Sequence, residues 1–199
     1  MNHDTYDNAY IAGILNSVKT IAIVGASAND VRPSFFVAKY LLAKGFDVFP
    51  VNPGHAGKEI LGRMTYAKLS DVPVPIDMVD IFRSSAAVPP VVDQALALRP
   101  LPKVIWMQLG ARDDVAAEKA EAAGIKVVMN RCPKIEYGRL SSEISWMGVN
   151  SRTLSSKRPP APTQGMRLSL NRMSVGGGET AASDRAAKIT TDKNKTEQS

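Results

Sequence analysis

Cysteine is almost missing from this chain. Cys132 is the only thiol among 199 residues, which excludes an internal disulfide framework and every cysteine-rich zinc site. A reducing cytoplasm is the compartment that such usage fits, and no metal site is expected. Long apolar runs are missing too: nothing approaches the ~18 consecutive apolar residues of a membrane span. Asp4 and Asp7 stand where a signal peptide would carry positive charge. The sequence therefore reads as a soluble cytoplasmic protein without a membrane partner. Charge of one sign is only mildly in excess, at +6, which favours anionic partners without defining a nucleic-acid binder. The basic residues near the C-terminus are interleaved with Glu179, Asp184, Asp192 and Glu197 and have no aromatics among them, which argues further against nucleic acid.

What is present is one good core. With 44% hydrophobic residues, the chain can bury a single domain of ordinary size. Near-continuous β-branched runs at 20–24, 46–51, 78–82, 103–109 and 125–129 lack strict alternation, as strands buried on both faces require. Residues 34–44, 88–98 and 113–123 carry apolar residues at helical spacing between these runs. Pro33 suits the first turn of one helix, and Gly45 and Gly124 suit two C-terminal stops. Asp113 and Asp114 read as charges at a helix N-terminus. The expected fold is α/β: a Rossmann-like, doubly wound sheet of about five parallel strands flanked by helices. Residues 6–18 add an amphipathic helix, and 59–66 a short extra strand or turn. From about Ser151 the composition turns to Ser, Thr, Lys, Arg, Pro and Gly, which cannot bury enough apolar surface to offset ordering entropy. Residues 1–150 are thus expected to form the domain and 151–199 a disordered basic tail.

The most informative stretch is Thr20-Ile21-Ala22-Ile23-Val24-Gly25-Ala26-Ser27, followed by a loop closing on Arg32-Pro33-Ser34. It is a strand feeding a helix N-terminus, where backbone N–H groups can hold a phosphate. Gly25 can take a φ that a side chain forbids, Ala26 and Ser27 let a ligand approach the backbone, and Arg32 supplies charge. A nicotinamide dinucleotide is the first candidate, but two features oppose it. Asn29 and Asp30 interrupt the G-x-G-x-x-G spacing, and the second strand ends on Asn52-Pro53-Gly54 where such a site places an acidic residue for the ribose. Asp47 lies at the wrong end of that strand.

In order along the chain stand Gly25-Ala26-Ser27, Arg32-Pro33-Ser34, Val51-Asn52-Pro53, Val79-Asp80-Ile81-Phe82-Arg83, Val88-Pro89, Trp106-Met107-Gln108-Leu109-Gly110 and Asn130-Arg131-Cys132-Pro133-Lys134. This set resembles the stand-alone CoA-binding domain proteins of the YccU-like group, which are similar to the CoA-binding domain of the succinyl-CoA synthetase alpha subunit. The resemblance covers about residues 8–146. It implies that coenzyme A or an acyl-CoA lies across the strand ends. Gly25, Ala26, Ser27 and Arg32, with Pro33 behind them, would meet the phosphate or adenosine part. Asn52 and Pro53 would shape the neighbouring wall, Phe82, Arg83 and Val88 would line the crevice, and Gln108 with Gly110 would approach the pantetheine.

Catalytic residues are not expected. The phosphohistidine of succinyl-CoA synthetase belongs to a second domain outside the resemblance. His3 reads as part of a frayed terminus, His55 as a loop residue and Lys58 as a solvated one. Cys132 follows the last strand, and Arg131 and Lys134 are placed to lower its pKa, which makes it a candidate redox thiol able to meet the CoA thiol. Trp106, Met107, Trp146 and Met147 read as packing. Three functions stay open: a CoA-binding protein without chemistry of its own, a partner-dependent component of a CoA ligase or acyltransferase, and a NAD(H) or thiol redox sensor. Homo-oligomer and enzyme partner are both compatible with these.

Overall fold

The computed structural model describes residues 1–141. The expected tail, Trp146 and Met147 lie outside the described residues. In chain order the elements are α1 (Asn8–Ser17), β1 (Thr20–Val24), α2 (Pro33–Ala43), β2 (Asp47–Val51), β3 (Glu59–Ile60), β4 (Arg63–Met64), β5 (Met78–Ile81), α3 (Val88–Ala97), β6 (Val104–Met107), α4 (Asp114–Ala122), β7 (Lys126–Val128) and α5 (Pro133–Leu140). Five strands form one parallel sheet in the order β2-β1-β5-β6-β7, and β3 and β4 form a separate antiparallel pair. The expected doubly wound α/β architecture is the observed one.

Because successive strand residues face opposite ways, each strand feeds two cores. Ala22, Val79, Ile81, Ile105, Met107 and Val127 pack with Val88, Val91 and Val92 of α3 and Ala116, Ala117 and Ala120 of α4. Ile21, Ile23, Val48, Met78, Trp106 and Val128 pack on the other face with Ile11, Ile14 and Leu15 of α1 and Val37 and Leu41 of α2, with Ile135 and Tyr137 of α5 against them. Trp106 and Met107 are fully buried, as expected of packing residues. Asp113 caps α4 by accepting a 2.8 Å bond from Ala116 N, and Pro33 opens α2.

Both sheet edges are covered, which removes the exposed ladders that invite strand addition. Along β2, Tyr66 N donates to Pro50 O and Asn52 N to Tyr66 O. This edge position also explains how Pro50, lacking an N–H, is tolerated in a strand. Along β7, Tyr10 Oη donates to Val127 O, and Tyr6 Oη accepts from Met129 N at 2.7 Å. The N-terminal segment is therefore docked. His3, expected in a frayed terminus, is buried, with Nδ1 2.9 Å from Tyr6 Oη and Nε2 3.5 Å from Glu121. Tyr6→Phe leaves the Met129 amide and the His3 ring without that oxygen. It should cost about 1–2 kcal/mol, read as a lower Tm in thermal unfolding; an unchanged Tm would show that the tyrosine does not hold this edge.

Two elements differ from the sequence expectation. Within residues 59–66 a β3–β4 hairpin forms over 59–64, whose two-residue turn puts Leu61 at φ 54° and Gly62 at φ 71°, while Tyr66 bridges to β2. Helix α5 was not expected from periodicity. It packs Tyr137 edge-on against Phe46 and Tyr40 and carries the Glu136–Arg139 ion pair at 2.6 Å.

Candidate functional site

The sheet order makes the chain leave β1 toward β2 on one side and return to β5 on the other. The carboxyl ends of β1 and β5 therefore flank a topological switch point, the place where open α/β sheets bind ligands. The turn after β1 is built for close approach. Gly25 sits at φ +88°, its N donates to Val51 O at 2.8 Å, and an added Cβ would collide with the Phe82 carbonyl oxygen at the end of β5. Only glycine fits both conditions. That Cβ position is also 3.2 Å from Arg83 Nε, so the Arg83 guanidinium stands over the turn.

Beyond Gly25, the amides of Ala26, Ser27 and Ala28 find no acceptor among the described residues. The loop holds itself open instead of closing on these amides. Ser27 Oγ accepts from Asn29 N at 3.1 Å, Asn29 Oδ1 accepts from Val31 N at 3.0 Å, and Arg32 N donates to Asn29 O. Arg32 is the N-cap residue of α2 and offers the helix no side-chain cap, which leaves the positive end of the macrodipole facing the same loop. Neither Arg32 nor Arg83 has an ion-pair partner among the described residues. Amides and an Arg83 guanidinium without partners among the described residues, beside a helix N-terminus that Arg32 opens, are groups suited to an anion.

Asn52 is brought to this turn. Its Nδ2 donates to Ala26 O at 2.7 Å and its Oδ1 accepts from Gly54 N at 3.0 Å. The side chain at the end of β2, where a dinucleotide site would hold a ribose-binding carboxylate, is committed to fixing the turn. Pro53 starts the 3-10 turn Pro53–His55 beside it. Phe82 is partly buried against the core that Ala26 and Val37 belong to. Val88, expected to line the crevice, is fully buried as the first residue of α3, so it supports this wall from behind and offers no surface.

On the far side of β5, Gln108 and Gly110 follow β6. Gly110, at φ +79°, donates its amide to Asn130 Oδ1 at 2.9 Å, which ties the loops after β6 and β7 together. Gln108 is 7% exposed, and its Nε2 donates to both carboxyl oxygens of Asp80, at 2.9 and 3.1 Å. Asp80 is completely buried within β5, and desolvation pushes its pKa up to about 8 against the lowering effect of Gln108. Sequence reading passed over Asp80 as a site residue. Its signal was an acidic residue inside an otherwise apolar strand, a placement rare without a partner.

Cys132 is at the expected edge but in a different chemical state. Burial pushes its pKa up, and the nearby Asp80 adds to the rise. Burial outweighs the lowering that Lys134 exerts as expected, and Arg131 adds none. The Arg131 guanidinium lies 5.5 Å from the Tyr6 ring and bonds Asn130 O, while Lys134 Nζ sits 5.8 Å over Tyr40.

A parallel 2-1-5-6-7 sheet with helices on both faces defines the Rossmann-like class of α/β domains. The chain belongs to the CoA binding domain family, whose model matches residues 19–138. It is 33% identical over 129 residues to the uncharacterized protein YneT of Bacillus subtilis (strain 168), covering 65% of this chain and 93% of that one. Among solved structures it is similar to a hypothetical protein from Pyrococcus horikoshii OT3, with 38% identity, a TM-score of 0.65, and 70% and 95% of the two chains covered. It also matches the dinucleotide-forming acetyl-coenzyme A synthetase 1 of Ca. Korarchaeum cryptofilum in complex with phosphate and ADP. There the identity is 26% and the TM-score 0.51, and the match covers 58% of this chain but 26% of the synthetase.

Proposed function

We propose that this chain binds coenzyme A or an acyl-CoA across the carboxyl ends of its strands and performs no reaction alone. The observation that carries the proposal is the turn around Gly25, with amides that have no acceptor among the described residues and the Arg83 guanidinium over it at the β1/β5 switch point. A pyrophosphate and a 3′-phosphate are ligand groups that such donors suit, and Arg can take them bidentately. Ala26, Ser27, Arg32 and Arg83 would hold phosphate on the turn that Gly25 shapes, Asn52 and Pro53 would keep the turn in place, and Gln108 and Gly110 would stand along the pantetheine. Cys132 takes no part as a thiolate at neutral pH, since burial keeps it protonated.

Native mass spectrometry of the protein as purified tests this directly. A retained mass equal to coenzyme A or an acyl-CoA is the expected result; a retained dinucleotide would overturn the reading. Arg83→Ala should weaken CoA binding by about tenfold or more, the worth of one charge-assisted contact, while leaving the thermal midpoint within a few degrees because the side chain is exposed and has no ion-pair partner among the described residues.

A second reading has its own support. The acetyl-coenzyme A synthetase of Ca. Korarchaeum cryptofilum contains a segment of this kind within a chain several times longer. On that reading the present chain supplies the CoA-binding part of a ligase completed by another subunit. Copurification of a nucleotide-binding partner would favour it, and a solitary homo-oligomer would count against it.

A further inference from the structure

Asp80 is a carboxyl group removed from water on the α1–α2–α5 face of the sheet, and among the described residues one side chain reaches it. That side chain, Gln108, uses only its NH₂ end for Asp80. Its Oε1 takes no hydrogen bond from any described residue, and it stands where β6 ends, at the edge that meets the ligand. A primary amide has a donor end and an acceptor end, so whatever Asp80 takes decides what Gln108 has left to offer. We propose that Asp80 is a positioning residue for the ligand, setting through Gln108 whether the strand-end crevice presents an amide acceptor or an amide donor. The ligand's identity rests on the coenzyme A reading; the behaviour of the pair does not.

The two states follow from hydrogen-bond balance. Ionised Asp80 can only accept, so it takes Nε2 and leaves Oε1 outward, the arrangement observed. Protonated Asp80 gains an O–H that needs an acceptor in a dry site, and Oε1 is the one within reach. The amide then turns by about half a revolution, Oε1 accepts the Asp80 proton, and NH₂ faces the crevice. The proton comes from solvent and no covalent bond changes. With its pKa raised to about 8, Asp80 passes between these states near physiological pH.

The surroundings keep the switch local. In the sheet, Ile23 of β1 and Trp106 of β6 flank Asp80. Cys132, ahead of α5, is the ionisable group whose charge couples to it, and each opposes ionisation of the other. On α5, Glu136 is bound to Arg139 and Lys134 lies over Tyr40. From α1 and α2 come Ile11, Ile14, Val37 and Ala38, with Ser34 the buried polar side chain. Coenzyme A is rich in acceptor oxygens, so the donor-out, protonated state should bind it better.

The test is acetyl-CoA affinity, by calorimetry, from about pH 7 to about pH 9.5, a ligand chosen because it has no free thiol to titrate. The wild-type protein should lose about three- to tenfold in affinity, the worth of one hydrogen bond, with a midpoint near the raised Asp80 value. In Asp80→Asn, where Cys132 is still present and the ligand is the same, the dependence should flatten. A wild-type profile that survives in Asp80→Asn overturns the proposal, as does a flat wild-type profile. The Gln108 side-chain amide resonances of the ligand-free wild-type protein provide a second readout that needs no variant to fold. They should move with the same midpoint, and pH-invariant resonances would also overturn it. Failure of acetyl-CoA to bind at any pH, with titrating Gln108 resonances, would retire the coenzyme A reading and leave the Asp80–Gln108 switch standing.

Discussion

Gly25→Ala is expected to abolish measurable CoA binding and to destabilise the fold by about 2–4 kcal/mol. Two independent effects combine. A residue with a side chain at φ +88° is strained, and its Cβ would press on the Phe82 carbonyl oxygen, a backbone atom directly after β5 that cannot rotate away. Relief requires β1 and β5 to part at their carboxyl ends, next to Arg83 and the loop that carries the amides of Ala26, Ser27 and Ala28. Binding should therefore be lost even at temperatures where circular dichroism shows the variant folded. Gly13→Ala is the control. Gly13 lies in α1 with open space around its Cβ position, so the same substitution there should stabilise by about 0.5–1 kcal/mol and leave affinity unchanged. If Gly25→Ala bound CoA normally, the turn would not be the phosphate site.

Asp80→Asn should stabilise the protein at neutral and mildly alkaline pH, by on the order of a few kcal/mol. In the unfolded chain an aspartate titrates near ~3.9, whereas burial raises folded Asp80 to about 8. Between those values the unfolded state releases a proton that the folded state keeps, so stability falls as pH rises, by about 1.4 kcal/mol per unit. Below the unfolded value both states are protonated and the substitution should be close to neutral, since asparagine keeps a partner for Gln108. Asp77, at the other end of β5, has the opposite sign. Burial works against its ionisation, but the Lys103 hydrogen bond and the amides of Lys19 and Thr20 outweigh it and hold the carboxyl below its ordinary value. Its contribution is present above the unfolded value and lost as pH falls through the folded one. Chemical denaturation of wild type and Asp80→Asn across pH measures the difference. Parallel curves would mean that Asp80 is ionised in the folded protein.

Much of this structure is legible in the sequence because the five parallel strands are buried on both faces. Their runs are apolar without interruption, and Gly45 and Gly124 stop the helices where expected. Strand ends are less legible: Leu109, counted with its strand, lies beyond β6 and is exposed. Helix α5 escaped because Lys134, Glu136, Gly138 and Arg139 break its apolar stripe, and only Pro133 at its first turn marks it. The β3–β4 turn uses Leu61-Gly62 in place of the Asn-Gly that announces a hairpin. At the site, the Gly25 turn was readable as local chemistry. The Asn52–Ala26 bond, the Arg83–Gly25 approach and the Asp80–Gln108 pair join residues 26, 58 and 28 positions apart, and only the folded sheet brings them together.

The central claim is that the β1/β5 switch point grips coenzyme A and not a nicotinamide dinucleotide, because Asn52 is committed to the turn where a ribose-binding carboxylate would stand. Isothermal titration of the full chain with coenzyme A, 3′-dephospho-CoA and NAD tests it most directly. The account predicts binding of coenzyme A, weaker binding of the dephosphorylated form and little or none of NAD. Tight binding of NAD with no heat from coenzyme A would contradict it.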